Sequence, residues 1–207
     1  MNIKDLAKAT GYINKTMQVQ KDYLIELDQQ NGDGDLGITM SSGYKAIYEY
    51  LSTCKEPDLG KALLKAANIF NETAPSSLGT ITSFCLMGMA KALKGKTDAT
   101  LAEIAQAMEA GLNKIMEKAK SKPGEKTILD AIHPAISALK ENQAESAKTA
   151  FAAAARAAAE GSENTRSMRS VHGRAAYYGD KSIGLIDGGS VVGKLIFESL
   201  NDYCLEN

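Results

Sequence analysis

The sequence predicts an all-α fold of about eight packed helices, an expectation that rests on three features. The strong helix formers Ala, Leu, Lys, Glu and Met dominate almost every stretch. No convincing run alternates apolar and polar residues with period two, as a half-buried strand would. Apolar residues recur instead at helical spacing, most regularly from Thr100 to Lys118.

The helices are expected in this order. The first two fall within 3–28, where Leu6, Ile13, Met17, Leu24 and Ile25 mark apolar positions. A third covers about 38–53 and a fourth about 59–72. The stretch 78–94 is apolar on nearly every side, which predicts a buried central helix. The next runs from Thr100 to Lys118, with Asp98 or Thr100 as its cap. Another spans Thr127 to Lys140 and carries Pro134 as a kink. Residues 145–160 are alanine-rich, which suits close helix approach, and the last helix covers about 189–204. Neither an internal repeat nor a linker divides the chain, so residues 1–207 are expected to form one domain.

Composition narrows the function classes. The net charge is −1 and no basic patch stands out, which argues against a nucleic-acid partner. No apolar run approaches membrane-spanning length, and the first residues lack a signal-peptide core, so a cytoplasmic protein is expected. Cys54, Cys85 and Cys204 form no CxxC pair, and the two histidines lie far apart, which argues against zinc.

The run from Leu27 to Gly37 carries the clearest chemistry. It brings Asp28, Asp33 and Asp35 into one short glycine-rich segment, where like charges repel unless a cation joins them. Hard divalent cations take oxygen ligands. An EF-hand does not fit: counted from Asn31, the required Gly falls on Leu36 and the closing Glu on Ser42. Mg²⁺ shared between carboxylates and a phosphate fits better. The competing explanation is an Asx-rich turn that touches no metal.

Three further polar loops, 73–80, 121–127 and 173–190, open mostly onto helix starts, whose free N–H groups suit phosphate. Gly188 to Leu195 nearly matches a Walker A loop, but Leu195 replaces the hydroxyl residue and no strand precedes it. Among the remaining candidates, His133 is expected to be structural, and His172 lies beside Gly173-Arg174. Arg166 and Arg169 suit a solvated face, Tyr177 and Tyr178 lid packing, and Met87, Met89 and Met108 core filling.

Taken in order, the four loops resemble the L subunit of dihydroxyacetone kinase, the nucleotide-binding DhaL family. Asp28 followed by Gly32-Asp33-Gly34-Asp35-Leu36-Gly37 resembles that family's Asp and GDGDHG segment. Ser76-Ser77-Leu78-Gly79-Thr80 resembles its Ser/Gly turn, and Lys122-Pro123-Gly124-Glu125-Lys126-Thr127-Ile128-Leu129-Asp130-Ala131 its KPGDKTMLDA segment. Gly173 to Gly189 resembles its GRASYLGERSIG segment with the following Asp-Pro-Gly turn.

The resemblance implies an antiparallel barrel of eight helices with ADP or ATP at one end. It implies that Asp28, Asp33 and Asp35 hold two Mg²⁺ ions, and that these residues and Arg174 carry the phosphoryl chemistry. It places Leu36, Thr39, Ser76, Ser77, Gly79, Thr127, Arg174, Asp187 and Gly188 around the nucleotide. It implies a small ketose held on a separate K subunit, with phosphoryl supplied by ATP or by a phosphotransferase-system M subunit. Leu36 stands where the family has His, Thr39 where it has Asn, and Leu78 separates Ser77 from Gly79. The alternative is a nucleotide-sensing regulatory module without transfer. A metal-dependent phosphatase is weaker, because no water-activating base accompanies the acids.

Overall fold

The computed structural model describes residues 1–206, and among them every regular element is helical. The helices are α1 (Ile3–Val19), α2 (Lys21–Asp28), α3 (Leu36–Thr53), α4 (Leu59–Thr73), α5 (Ser77–Ala92), α6 (Leu101–Ala119), α7 (Leu129–Glu141), α8 (Ala147–Asn164) and α9 (Gly188–Glu206). Short 3₁₀ turns at Thr165–Ser167 and Arg174–Ser182 lie between α8 and α9. None of the helices is long and apolar enough to cross a membrane.

Local chemistry sets most helix starts. Asn2 and Asp5 form a reciprocal capping box on α1, and Thr100 and Glu103 form another on α6. Asp58 caps α4, and Ser146 caps α8. Thr100 is thus the cap of α6, while Asp98 takes the N-terminal ammonium of Met1 at 2.9 Å. The third helix begins at Leu36, earlier than the apolar pattern suggested, so Leu36 belongs to its first turn.

Each helix from α3 to α9 packs on the next, and α9 returns to α1, which itself packs on α3. The short connections make successive neighbours antiparallel. The result is a closed ring of eight helices, with α2 a short extension packed mainly on α3. The ring encloses an apolar cavity of about 140 Å³, to which every one of its helices contributes, for example Ile13, Ile47, Leu63, Met108, Ile132 and Phe197.

That cavity corrects one expectation. Residues 78–94 do not form a central buried helix; α5 is one wall of the ring, and its Ile81, Leu86 and Met89 face the cavity. Its apolar residues are needed on several sides because it contacts α4, α6 and the interior together. Pro134 lies within a continuous α7. Proline offers no N–H to the carbonyl four residues earlier, that of Asp130. Gly161 of α8 packs against this carbonyl so closely that a Cβ would overlap it. The alanine-rich face of α8, with Ala150, Ala154 and Ala158 fully buried, permits that approach.

Candidate functional site

A cleft of about 850 Å³ lies at one end of the ring. Four connections supply its polar wall: Asp28 to Leu36, Pro75 to Ser77, Ser121 to Ile128, and His172 to Gly189. These connections lead into α3, α5, α7 and α9, so four helix N-termini converge on one space. Each end brings partial positive charge, although the first-turn N–H groups of α7 are already taken by Thr127 and Ile128. Leu78 and Ile81 of α5 and Ile115 and Ala119 of α6 add an apolar lining.

The acidic loop folds around Asp28. Its Oδ2 accepts from the backbone N–H of Gly34 at 2.8 Å and of Asp35 at 3.1 Å. Gly34 holds φ at 78°, a left-handed conformation that suits glycine. The turn brings an oxygen of each of Asp28, Asp33 and Asp35 within 4.8 Å of the others. Burial, then the Asp33 and Asp28 carboxylates, raise the pKa of Asp35, and the Arg174 guanidinium opposes them. An all-carboxylate set with this repulsion fits a hard divalent cation such as Mg²⁺. Arg174 reaches in from the last loop and pairs with Asp33 at 2.7 Å.

Asp187 sits at the base of α9, where its Oδ2 accepts from Ser190 N–H at 2.6 Å. Burial pushes its carboxyl up to about 7; the Ser190 N–H opposes this, and Asp130, Lys126 and Asp28 add smaller effects. Asp130 is buried and holds the 121–128 loop by accepting from Gly124 N–H at 2.5 Å and Thr127 N–H at 2.7 Å. Lys126 is only 3 % exposed, and burial pulls its pKa down against the nearby Asp187.

Of the residues singled out from the sequence, Asp28, Asp33, Asp35, Leu36, Ser76, Ser77, Thr127, Arg174, Asp187 and Gly188 line this cleft. Thr39 and Gly79 do not. Thr39 is buried one turn into α3, where its hydroxyl donates to the carbonyls of Asp35 and Leu36. Gly79 donates to Ser76 Oγ and packs so tightly on the Ala74 carbonyl that it leaves no room for a side chain. Leu36 packs against Gly188, where a Cβ would lie 2.7 Å from Leu36 Cδ2. Tyr177 is 92 % exposed, so it does not pack in a lid as expected, and His133 lies exposed on α7. Sequence reasoning missed Asn71, Ile115 and Ala119, which reach the cleft only through helix packing. It also missed that the Lys126 ammonium donates to the carbonyls of Met168, Ser182 and Leu185, for which a lysine beside the Pro123-Gly124 turn was the available signal.

Residues 30–202 match the DAK2 domain family. The chain belongs to that family. Among curated DAK2 relatives, it is 30 % identical over 185 residues to the Listeria innocua PEP-dependent dihydroxyacetone kinase 1, ADP-binding subunit DhaL, covering 89 % of this chain and 88 % of that one. It is 28 % identical to the Escherichia coli PEP-dependent DhaL subunit, covering 83 % of this chain and 82 % of that one. It also matches the triokinase/FMN cyclase of Rattus norvegicus at 29 %, over 95 % of this chain but 34 % of that one. The dihydroxyacetone kinase of C. freundii, solved with AMP-PNP and Mg²⁺, superposes with a TM-score of 0.75 at 22 % identity, over 95 % of this chain and 33 % of that one. This DAK2 chain is therefore of the DhaL type, a family of phosphotransferase subunits with a helical fold.

Proposed function

We propose that this chain, one DAK2 domain over residues 1–207, binds ADP or ATP in the four-loop cleft and passes a phosphoryl group to a small ketose held on a separate K subunit. The observation that carries the reading is the meeting of three carboxylates, one arginine and four helix N-termini at a single cleft. Helix N-termini favour phosphate, and the apolar lining of Leu78, Ile81, Ile115 and Ala119 suits a nucleobase.

Asp28, Asp33 and Asp35 would hold two Mg²⁺ ions. When bound, such ions neutralise phosphate charge and hold the reacting oxygens in line. Arg174 exchanges Asp33 for phosphate oxygens, to which its planar fork is matched. Ser76, Ser77 and Thr127 would offer hydroxyls to the phosphates, and Ser77, in the first turn of α5, its N–H as well. Asp187 and Gly188 place the start of α9 against Leu36. No protein nucleophile is required, because positioning and charge stabilisation supply the catalysis.

The DhaL relatives are named as PEP-dependent, ADP-binding subunits, which supports the version in which ADP stays bound and a phosphotransferase-system M subunit rephosphorylates it. Native mass spectrometry of the purified protein with and without EDTA tests the site. Retained ADP with two Mg²⁺, lost on chelation, is the expected result. A protein that stays empty when given Mg-ADP or Mg-ATP refutes it. The buried Leu36, in place of an ionisable residue, favours a second reading as a nucleotide-sensing module. Phosphoryl transfer to a ketose with the cognate K subunit excludes that module, and tight binding without transfer supports it.

A further inference from the structure

We infer that Lys126 and the Glu125–His172 pair are positioning residues that hold the loop carrying Arg174 over the cleft. Lys126 is the anchor at the base of that loop, and Glu125–His172 is a tether beside Arg174. The inference rests on the reading of the cleft as a nucleotide site, because Arg174 is the group being positioned.

The loop from Met168 to Asp187 has little apolar burial of its own. Val171, Tyr177, Tyr178 and Ile183 are exposed, and its 3₁₀ turn is broken at Gly179. Hydrogen bonds must therefore place it. One set is internal: Ser182 Oγ accepts from Ser170 N–H and donates to the Gly179 carbonyl. Arg166 exchanges two bonds with Gly184, and Asp187 N–H donates to Thr165 Oγ1, which hold the last residues of the loop to the end of α8. None of these joins the loop to α7.

Lys126 supplies that link. Its ammonium donates to the carbonyls of Met168 at 3.1 Å, Ser182 at 2.5 Å and Leu185 at 2.7 Å. An ammonium has three N–H donors, so these three carbonyls, taken from both ends of the loop, use all of them. The residue holds φ at 60°, which is uncommon for a lysine and persists where surroundings over-determine it. Those surroundings include the Asp130 carboxylate, which bolts the backbone on both sides of Lys126 to α7. The preceding residue grips a second point, as the Glu125 carboxylate meets His172 Nε2 at 2.6 Å and also accepts from Lys122 N–H. Adjacent residues thus connect α7 to both the base of the loop and the approach to Arg174.

Hydrogen exchange on the nucleotide-free full-length chain tests this without reference to activity. In Lys126→Met, amides of residues 169–184 should exchange about tenfold faster or more while those of α1 and α3–α5 keep their rates, because local opening is then cheaper. The loop should be open in most molecules of this variant, so the Kd for Mg-ADP should also rise, by up to the factor that Arg174→Ala costs, because the apparent Kd scales inversely with the fraction that presents Arg174 correctly. Adding Arg174→Ala should then cost little more, as two changes acting through one element are not additive. Glu125→Gln should give a smaller effect confined to the stretch around His172, and it keeps the test alive if Lys126→Met folds poorly. Unchanged exchange in the loop, with weaker Mg-ADP binding additive to Arg174→Ala, would make Lys126 a phosphate ligand and overturn the anchor. Faster exchange throughout the helices of both variants would overturn it too. If the wild type fails to bind Mg-ADP, the nucleotide reading falls, whereas the exchange data still decide the anchoring.

Discussion

Asp28→Asn separates the two accounts of the acidic loop, a cation site or a self-contained turn. The substitution keeps the shape and an oxygen able to accept from Gly34 and Asp35 N–H, now made at 2.8 and 3.1 Å. It removes one of three charges whose oxygens lie within 4.8 Å. Two unit charges at that separation repel by about 0.9 kcal/mol even at the dielectric constant of water. Relief of this repulsion from Asp33 and Asp35 offsets the weaker neutral hydrogen bonds. The metal-free protein should therefore keep its stability to within about 1 kcal/mol. A divalent cation at the same distance loses twice that attraction, about 1.7 kcal/mol, and more at coordination distance. The Kd for Mg²⁺ in the presence of ADP should rise at least about twentyfold. Urea denaturation without metal and calorimetric Mg²⁺ titration with ADP measure the two quantities. A variant that loses several kcal/mol of stability yet binds Mg-ADP normally would refute the reasoning, and Asp28 would be only the organiser of a turn.

The other expectations are narrower. Arg174→Ala should leave the melting temperature nearly unchanged, because the pair with Asp33 is a surface one, 68 % and 38 % exposed. It should weaken Mg-ADP binding about tenfold in calorimetry, with Arg174→Lys restoring only part. Asp187 has a folded pKa raised to about 7, so its contribution is fully present below the ordinary carboxylate range and is lost as pH rises towards 7. The full effect is about 4 kcal/mol, and the nucleotide-free protein should denature more easily in urea at pH 8 than at pH 5. Asp187→Asn should flatten that slope, and an unchanged slope would count against a buried, protonated carboxyl. Gly161→Ala should destabilise by about 1–3 kcal/mol in thermal or urea melts, because its Cβ meets the Asp130 carbonyl. A neutral result would mean that α7 and α8 separate easily.

The parts legible in the sequence are those governed by neighbours along the chain. Helix positions followed from apolar spacing and from caps such as Thr100, one of the two candidates for α6. The acidic cluster was legible because Asp28, Asp33 and Asp35 sit within one turn that the Asp28 carboxylate closes on the N–H groups of Gly34 and Asp35, all within eight residues. The placements of Thr39 and Gly79 were not, although both follow Asp35 or Ser76 closely, because helix rotation turns them away from the cleft.

Sequence alone determined the helices, the family and the chemistry of the loops, since propensity, capping and short motifs are local. Tertiary structure decided that the apolar stretch 78–94 forms one wall around a cavity rather than a central rod. Apolar periodicity marks a face for burial but does not say which helix will cover it. Tertiary structure also brought Ile115 and Ala119 into the cleft with the loops, and it set the Lys126 ammonium among carbonyls 42 to 59 residues away. Those contacts exist only once the ring closes, because the entropy of bringing distant segments together is offset by packing of the whole ring and not by any one motif.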